Sequence, residues 1–166
     1  GVMVDHLRMT MPISQRTDAD AEAADRVTLV RFDLPVERLD PGERIVEVGT
    51  VCRAERDEPS LVWSNQVAAV LNRLPVSTVG GMLKHVDVVA SNVPGFPEPV
   101  YVSGARVESF HAFGPTVGAA VNVTLMSYRD TCHIGINADT GAVTDTDLLL
   151  ACMDDAFAEI IELADA

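Results

Sequence analysis

The stretch SNVPGFPEPVYVSGARVES (91–109), followed after four residues by GPTVGAAVNVTLMSYRDTCHIGINAD (114–139), decides the fold. Residues 121–128 and 131–137 are rich in β-branched side chains, which favour strands. Only Arg129 and Asp130 separate these two segments, so the sequence predicts a tight hairpin between them.

The segments upstream add further strands. In LRMTMPI (7–13) apolar residues alternate with others, which is typical of a half-buried strand with Leu7, Met9, Met11 and Ile13 on one side. RVTLVRFDL (26–34) predicts a second strand. The apolar run VDVVA (86–90) predicts a buried strand that ends at the SNVPG turn. Residues 100–102, continuing toward 106–110, predict one more.

Helices are predicted between these strands and at the C-terminus. Asp40 and Pro41 have the types expected of an N-cap and a first helical residue, with Glu43 three positions after the cap. Further helices are predicted from Ser60 to Pro75 and over residues 78–84. We expect an amphipathic helix over residues 145–164, capped by Thr144, to cover one face of the sheet. Its apolar side consists of Leu149, Cys152, Met153, Ala156, Ile160 and Leu163.

Length and composition agree with a single domain over residues 1–166. A chain of 166 residues with 48% hydrophobic content can bury one sizeable core. The order of elements predicts an α/β fold, a two-layer sandwich in which helices cover a mixed β-sheet. No run approaches the roughly 18 apolar residues of a membrane span, and Asp5 and Arg8 interrupt any secretory signal. We therefore expect a cytoplasmic protein.

The charge excludes some classes of partner. The formal net charge is −13, from 25 acidic and 12 basic residues, which argues against binding to nucleic acid or to an anionic membrane. Cys52, Cys132 and Cys152 are too far apart in sequence for a ligand pair and odd in number, so neither a zinc site nor a disulfide framework is predicted. We expect the three thiols to be buried among apolar neighbours.

The SNVPG turn, the GP-x-x-G segment and the N-x-T-x-x-SY strand resemble, in this order and spacing, the C-terminal domain of bacterial wax ester synthase/diacylglycerol acyltransferases. These belong to the superfamily of CoA-dependent acyltransferases. LRMTMPIS, RVTLVRFDLPV and LNRLPVSTVGGMLKHVDVVASNVPG follow that family's order of segments, so the resemblance covers nearly the whole chain. The family's catalytic HHxxxDG and its later NDxVLA segment have no match here. The resemblance therefore implies a C-terminal domain without its catalytic N-terminal partner.

For the complete enzyme, the resemblance implies transfer of a fatty acyl group from acyl-CoA to diacylglycerol or a long-chain alcohol, giving triacylglycerol or a wax ester. Acyl-CoA is then a substrate, and no cofactor is implied. Catalysis would belong to a histidine of the missing domain, so this chain alone is expected to be inactive. The implied location of the full-length protein is peripheral, at lipid bodies or the inner membrane. Homo-oligomerisation stays open, because an apolar patch could remain where the partner domain sits.

The SNVPG turn is the candidate binding segment. An asparagine can donate and accept hydrogen bonds, a proline fixes the backbone, and a glycine permits close approach. From the residues alone, such a turn can be structural or functional. The resemblance implies that it lies near the cleft where acyl-CoA enters, with serine or threonine hydroxyls available to an oxyanion. The implied substrate-binding residues are Ser91, Asn92, Pro94, Gly95, Gly114, Pro115, Gly118, Asn122, Thr124 and Ser127.

Other candidate sites are weaker. His85 and Asp87 form an HxD pair that could hold a general base, although a histidine at a strand edge beside an acid is the simpler interpretation. No GxSxG elbow or phosphate-binding loop is present. Two other functions stay open: a non-catalytic binding or scaffold domain with the same fold, and a fragment of a condensation-type domain that joins carrier-bound acyl groups.

Overall fold

The computed structural model describes residues 4–14, 27–36, 40–57, 86–116 and 118–164. The helices predicted from Ser60 and over residues 78–84, and His85 of the HxD pair, lie outside these ranges. The described elements are β1 (His6–Ser14), β2 (Val27–Pro35), α1 (Pro41–Arg56), β3 (Val88–Val93), β4 (Tyr101–Val102), β5 (Ala105–Arg106), β6 (Val121–Tyr128), β7 (Thr131–Ala138) and α2 (Thr146–Ala164).

Five strands form one mixed sheet in the order β2-β1-β3-β6-β7. The three central strands β1, β3 and β6 run parallel, and the edge strands β2 and β7 are antiparallel to their neighbours. The predicted hairpin between β6 and β7 is confirmed, with Arg129 in the left-handed region at φ 54°. The α/β class with a mixed sheet, predicted from the order of elements, is confirmed.

The two faces of the sheet carry different buried residues. Because paired residues of neighbouring strands point to the same face, the register places Thr10, Val89 and Asn122 on one face, here called the pocket face. Val30 and Phe32 of β2 are buried on the opposite face. Helix α1 contacts β2 on this opposite face, since the β2 residues on the pocket face are exposed.

Strands β1 and β3 separate after a short pairing. Within the described strands, their register consists of Met9 with Val88 and Thr10 with Val89. The next hydrogen bond of this parallel ladder would run from the N–H of residue 12 to the carbonyl of Ala90. Residue 12 is a proline and has no N–H. The described pairing thus ends beside a residue that has no N–H to donate.

The start of β3 is fixed by Asp87. Its carboxylate accepts hydrogen bonds from the Arg8 backbone N–H (2.9 Å), Nε (3.1 Å) and Nη2 (3.0 Å). Its backbone N–H donates to the Arg8 carbonyl at 2.9 Å, and its carbonyl accepts from Ala120 and Val121. The acid of the HxD pair thus joins β1, β3 and the start of β6, which is a structural role.

Strand β3 extends further than predicted. It begins at Val88 and continues to Val93, so Ser91 and Asn92 are strand residues, and the turn begins only at Pro94. The prediction of a strand over 86–90 was wrong at both ends. The physical reason is the partner strand β6, which pairs with all six residues of β3 and keeps polar positions in the ladder.

Residues 100–110 do not form the predicted continuous strand. Two-residue strands β4 and β5 pair only with each other, in a sheet separate from the five-stranded one. Residues 107–116, here called the cover loop, have no regular secondary structure. The cover loop runs across the pocket face over β6 and β7, as its contacts with these strands show.

Helix α1 confirms its predicted start, because the Asp40 side chain accepts a hydrogen bond from Gly42 N–H at 3.0 Å. Helix α2 differs from its prediction in two respects. Its cap is Asp145, whose Oδ1 accepts from Leu148 N–H at 2.9 Å, and not Thr144. None of its residues is buried, and among the described elements its main neighbour is α1 rather than the sheet. The expected cover of a sheet face by α2 is therefore not seen.

The prediction of buried cysteines was wrong for two of the three thiols. Cys132 and Cys152 are exposed, and Cys52 is half-buried. Partial burial raises the pKa of the Cys52 thiol above its usual value. Apolar sequence neighbours alone do not reveal whether a side chain is exposed.

Candidate functional site

A pocket of about 340 Å³ opens on the pocket face where β1 and β3 separate. Strands β1 and β2 form one wall, β3 and β6 form the floor, and the cover loop forms the other wall. Pro12, which has no N–H to donate to β3, lies at this opening. The lining residues are Pro12, Leu29, Val89, Ser91, Val93, Ala112, Phe113, Gly114, Pro115, Asn122 and Thr124.

Two asparagines hold the cover loop on the sheet. Asn122 of β6 and Asn137 of β7 are register partners and point to the same face. Asn122 Nδ2 donates to the carbonyl of Pro115 at 3.0 Å, and Asn137 Nδ2 donates to the carbonyl of Gly114 at 3.3 Å. Thr124 Oγ1 donates in turn to Asn122 Oδ1 at 2.8 Å. Polar side chains of two neighbouring strands thus fix the loop that forms a pocket wall.

The middle of the cover loop lies directly on β7. A Cβ atom added at Gly135 would overlap the carbonyl oxygen of Ala112, so this close approach requires a glycine. Beside it, the rings of His111 and His133 meet edge to face with centroids 4.8 Å apart. Nε2 of His133 is buried and has no hydrogen-bond partner in the described part of the chain. The two rings thus contact each other where the cover loop lies on β7.

The start of the cover loop is fixed by Tyr128, whose side chain is fully buried. Its hydroxyl donates to the carbonyl of Val107 at 2.8 Å and accepts from Val100 N–H at 3.1 Å. Phe110 packs against the Tyr128 ring at 5.1 Å and against Phe96 at 5.5 Å. A single buried phenol thus ties together the two ends of the segment that contains β4 and β5.

The structure brings five of the ten residues that the resemblance implied into this pocket: Ser91, Gly114, Pro115, Asn122 and Thr124. Ser91 lies on β3 opposite Thr124 of β6. Its side chain is half-buried, and its hydroxyl makes no hydrogen bond within the described part of the chain. Ser91 is thus the lining hydroxyl best placed to donate to a bound molecule.

The other five implied residues lie outside the pocket lining. Asn92 points to the opposite face from Ser91, because neighbouring strand residues alternate. Pro94 is exposed at the end of β3, and Gly118 is exposed with φ 86°. Gly95 N–H donates to Ser127 Oγ at 3.1 Å, so these two residues contact each other and close the turn. Whether any of the ten binds substrate stays a prediction.

Several lining residues were missed at the sequence level. Val89 and Val93 flank Ser91 at two-residue intervals, a spacing that would have placed them beside it once β3 was given its correct length. Pro12 and Leu29 are register partners on β1 and β2, and no local signal links them to the distant SNVPG segment. Phe113 is 65% exposed although it lines the pocket, so its ring stands at the mouth.

The pocket walls carry no charged side chain among the residues that line it. Its polar groups are the Ser91 hydroxyl and the Asn122–Thr124 pair, and the pair is already engaged with the cover loop. The Arg8 guanidinium, which lowers the pKa of Asp87 chiefly through its side-chain hydrogen bonds, is outside the pocket. Such a lining suits an alkyl chain with at most one hydrogen-bonding group near Ser91.

No group of three or more metal-ligating side chains occurs among residues 4–14, 27–36, 40–57, 86–116 and 118–164. Within these ranges, each helix is too short or too polar to span a bilayer.

Comparison with known proteins agrees with this fold. The solved structure of a wax ester synthase/diacylglycerol acyltransferase from Marinobacter aquaeolei VT8 superposes with a TM-score of 0.66 at 22% identity, over 98% of this chain and 38% of that one. A protein of Mycobacterium tuberculosis H37Rv named as a diacylglycerol O-acyltransferase (Rv2484c) is 32% identical over 99% of this chain and 34% of its own length. The O-acyltransferase WSD of Acinetobacter baylyi is 26% identical over 87% and 33%, respectively.

The chain thus spans about a third of the length of the curated relatives it matches. The family model of the WS/DGAT C-terminal domain matches residues 24–161, which is most of the chain. The chain therefore belongs to the family of C-terminal domains of wax ester synthase/diacylglycerol acyltransferases.

Proposed function

We propose that this chain is the C-terminal part of an O-acyltransferase that moves a fatty acyl group from acyl-CoA to diacylglycerol or a long-chain alcohol. Membership in the family supports acyl transfer, and the names of its relatives cover both acceptor classes. The observation that carries the proposal is the uncharged pocket between β1, β3 and the cover loop, built largely from the family's motif segments.

The pocket holds an apolar chain of one substrate in this proposal. Its volume of about 340 Å³ is near the lower end of the roughly 300–1,000 Å³ of small-molecule pockets. That space suits a chain rather than a whole acyl-CoA. The phosphates of CoA need cationic or backbone N–H partners, and the lining supplies no cation. The nucleotide part of acyl-CoA therefore lies outside this pocket.

The Ser91 hydroxyl faces the carbonyl end of the bound chain. During acyl transfer the acceptor hydroxyl attacks the thioester carbonyl, a C–O bond forms, the C–S bond breaks, and the acceptor proton passes through a base to the CoA thiolate. A donor near the carbonyl oxygen stabilises the negative charge that develops there. None of the pocket-lining residues is a histidine or carboxylate that could serve as the base. The base is assigned to the N-terminal region of the longer protein.

The test uses a chimera in which this chain replaces the matched third of the M. tuberculosis relative. Radiolabelled acyl-CoA is supplied with diacylglycerol or with a long-chain alcohol, and ester formation is measured for the chimera and for this chain alone. We expect ester only with the chimera, and the preferred acceptor identifies the reaction. Turnover by the isolated chain would contradict the division of labour between the two regions.

Two variants of the chimera test the pocket. Val93→Trp fills the apolar space and is expected to reduce turnover of long acyl or alkyl chains more than of short ones. Val46→Trp, on the exposed surface of α1 (65% exposed), is the control for adding the same side chain elsewhere. Equal chain-length profiles for both variants would place the lipid outside the pocket.

A second candidate function is a binding domain without a role in the chemistry. It is favoured by the finding that Asn122 donates to the cover loop and Thr124 donates to Asn122, so both side chains are already engaged within the domain. In that case the isolated chain binds a fluorescent fatty acid, and Ser91→Ala changes neither the affinity nor the turnover of the chimera. A fall in turnover with unchanged fatty-acid affinity supports the acyltransferase proposal instead.

A further inference from the structure

The side chain of Phe113 is large, apolar and exposed, yet it lines the pocket. Its exposed fraction is 65%, so the ring stands at the mouth, between the cavity and solvent. Single exposed apolar residues are normal on a protein surface. Here, however, the ring belongs to the wall of an apolar cavity, and a molecule that enters beside this wall must pass it. Phe113 is therefore able to select among ligands by their shape.

The main chain on both sides of Phe113 is held by the sheet. The carbonyl of Ala112 lies directly on Gly135. The carbonyl of Gly114 accepts a hydrogen bond from Asn137 Nδ2 at 3.3 Å. Because the backbone is attached before and after Phe113, the cover loop keeps the ring at this wall, and the ring can change its position only by rotation of its own side chain.

The ring lies at the level of Ser91 in the pocket. Its Cδ1 atom is 3.1 Å from the position that a Cβ atom at Gly135 would take, so the ring lies close to this glycine. Register pairs Gly135 with Thr124, and Thr124 with Ser91, so the three residues form one row across the pocket face. The hydroxyl of Ser91 and the ring of Phe113 therefore face neighbouring parts of one bound molecule.

The opposite wall at this level is also apolar. Thr10 of β1 pairs with Val89 of β3. Pro12 and Ser91 each follow two residues later on these parallel strands, so they lie at the same level. Pro12 is the register partner of Leu29, which is 51% exposed and lines the pocket as well. A chain bound beside Ser91 thus passes between two apolar walls.

We propose that Phe113 is a specificity-determining residue, which restricts the pocket to acyl or alkyl chains without a branch next to the carbonyl or hydroxyl group. This inference rests on the proposed function, in which the carbonyl end of the chain lies at Ser91. The first carbons of the chain then lie between Phe113 and the wall formed by Pro12 and Leu29. A branch on these carbons needs space that the ring occupies, whereas a branch at the far end lies away from the ring.

The test uses three isomeric fatty acids, which differ in branching and not in composition: dodecanoic acid, 2-butyloctanoic acid and 10-methylundecanoic acid. The carboxyl group of each takes the place of the acyl carbonyl at Ser91. Calorimetric titration of the isolated chain measures the three dissociation constants. We expect the linear acid and the acid branched at its far end to bind with similar affinity. 2-Butyloctanoic acid should bind about tenfold more weakly, which is the effect of a small misfit in an apolar pocket.

Phe113→Ala removes the ring and should reduce this difference to about twofold, through tighter binding of 2-butyloctanoic acid. Because Phe113 is largely exposed, the melting temperature should change as little as for other surface substitutions. Phe157→Ala is the matched control, since it truncates a partly exposed ring of α2 outside the pocket lining, and it should keep the original difference. The same ratio of dissociation constants in all three proteins would overturn the proposal. Failure of the unchanged chain to bind any of the acids would also overturn it.

The same comparison in the chimera described above separates this inference from the proposed function. Ester formation is measured with the CoA thioesters of the three acids, with and without Phe113→Ala. We expect the variant to raise kcat/KM for the thioester branched next to its carbonyl about fivefold relative to the linear one. An active chimera with an unchanged preference would overturn the role of Phe113 and leave the proposed function standing. An inactive chimera, together with the expected shift in fatty-acid affinity, would support the role of Phe113 and contradict the proposed function.

Discussion

The cover loop has no regular secondary structure, yet five residues of β6 and β7 hold it: Tyr128, Asn122, Asn137, His133 and Gly135. Helix α2 has 19 regular residues, and none of them is buried. Its described link to α1 includes an ion pair between Arg44 and Glu159 at 2.8 Å, with both side chains more than a third exposed. Regular secondary structure and firm attachment are thus separate properties in this domain.

The difference arises from where the backbone N–H and C=O groups of each segment find their hydrogen-bond partners. A helix satisfies its own N–H and C=O groups internally and needs no neighbour for them. A loop across a sheet must find partners outside itself, because unpaired buried polar groups are costly. The sequence therefore supplies asparagines and a tyrosine at strand positions that would otherwise carry apolar residues.

The largest expected effect comes from Gly135→Ala. The added Cβ would overlap the Ala112 carbonyl, and the loop or the strand must move, at a cost of about 3 kcal/mol in the free energy of unfolding. Urea unfolding measures this loss. Gly49→Ala is the matched control, since its Cβ meets only the flexible end of Arg53 and alanine favours the helix by about 0.5–1 kcal/mol. Equal effects of the two changes would mean that the loop does not lie firmly on β7.

Tyr128→Phe is expected to have the next largest effect. It removes the buried hydroxyl that joins Val100 and Val107 and leaves both groups short of a partner, which costs about 1–3 kcal/mol. Thermal unfolding and amide exchange of residues 100–110 report the change. Tyr101→Phe removes the same atom from an exposed ring and should stay within about 0.5 kcal/mol. Unchanged thermal stability of Tyr128→Phe would show that packing of the ring alone fixes the base of the β4–β5 hairpin.

Variants of the two asparagines compare a buried contact of the cover loop with an exposed one. Asn122 is 3% exposed, and Asn122→Ala should cost about 2 kcal/mol because Thr124 and Pro115 lose their partner. Asn137 is exposed and its hydrogen bond is longer, so Asn137→Ala should cost about 0.5 kcal/mol. Unfolding midpoints of both variants test this ranking, and a reversed order would contradict the assignment of Asn122 as the main support of the loop.

The pairing of Asp87 with Arg8 predicts that the stability of the domain depends on pH. Arg8 holds the pKa of this carboxyl below its usual 3.8, mainly through side-chain hydrogen bonds. The resulting stability is present above the usual pKa and is lost as the pH falls through the lower folded value. Urea midpoints measured between about pH 5 and pH 2 should fall less steeply for Asp87→Asn than for the unchanged chain. The effect is small because both side chains are partly exposed. The same fall of the urea midpoint with pH in both proteins would contradict a stabilising role of the Asp87 charge.

The smallest effect is expected at α2. Glu159→Gln removes the charge opposite Arg44 at an exposed site, and such pairs contribute at most about 0.5 kcal/mol. High salt should reduce even this difference. A loss as large as that of Asn122→Ala would show that α2 is attached as firmly as the cover loop, and the contrast between them would disappear.

Local patterns in the sequence predicted the elements that depend on local physics. The alternation in residues 7–13, the cap at Asp40 and the two-residue connection at Arg129 all correspond to observed elements. The class of fold followed from their order. Serine and asparagine in β3 were assigned to a turn because their propensity is unfavourable for strands, and the partner strand β6 overrides that propensity.

The candidate site was predictable only in part. Ser91, Asn122 and Thr124 stand in motifs that the resemblance had marked, and register brings them together. Asn92 shares the motif but faces the other way, which only the strand bounds reveal. Pro12 and Leu29 enter the pocket through long-range pairing that no window of sequence contains. The exposure of α2 depends on which elements pack against it, and helical periodicity does not show which elements those are.

Pro12 offers a way to change this pocket without touching its chemistry. A residue with an N–H at this position would give β1 a main-chain donor facing the carbonyl of Ala90. The pairing between β1 and β3 is a property of the main chain, and what the cavity prefers is a property of its side chains. An engineer could adjust the two independently.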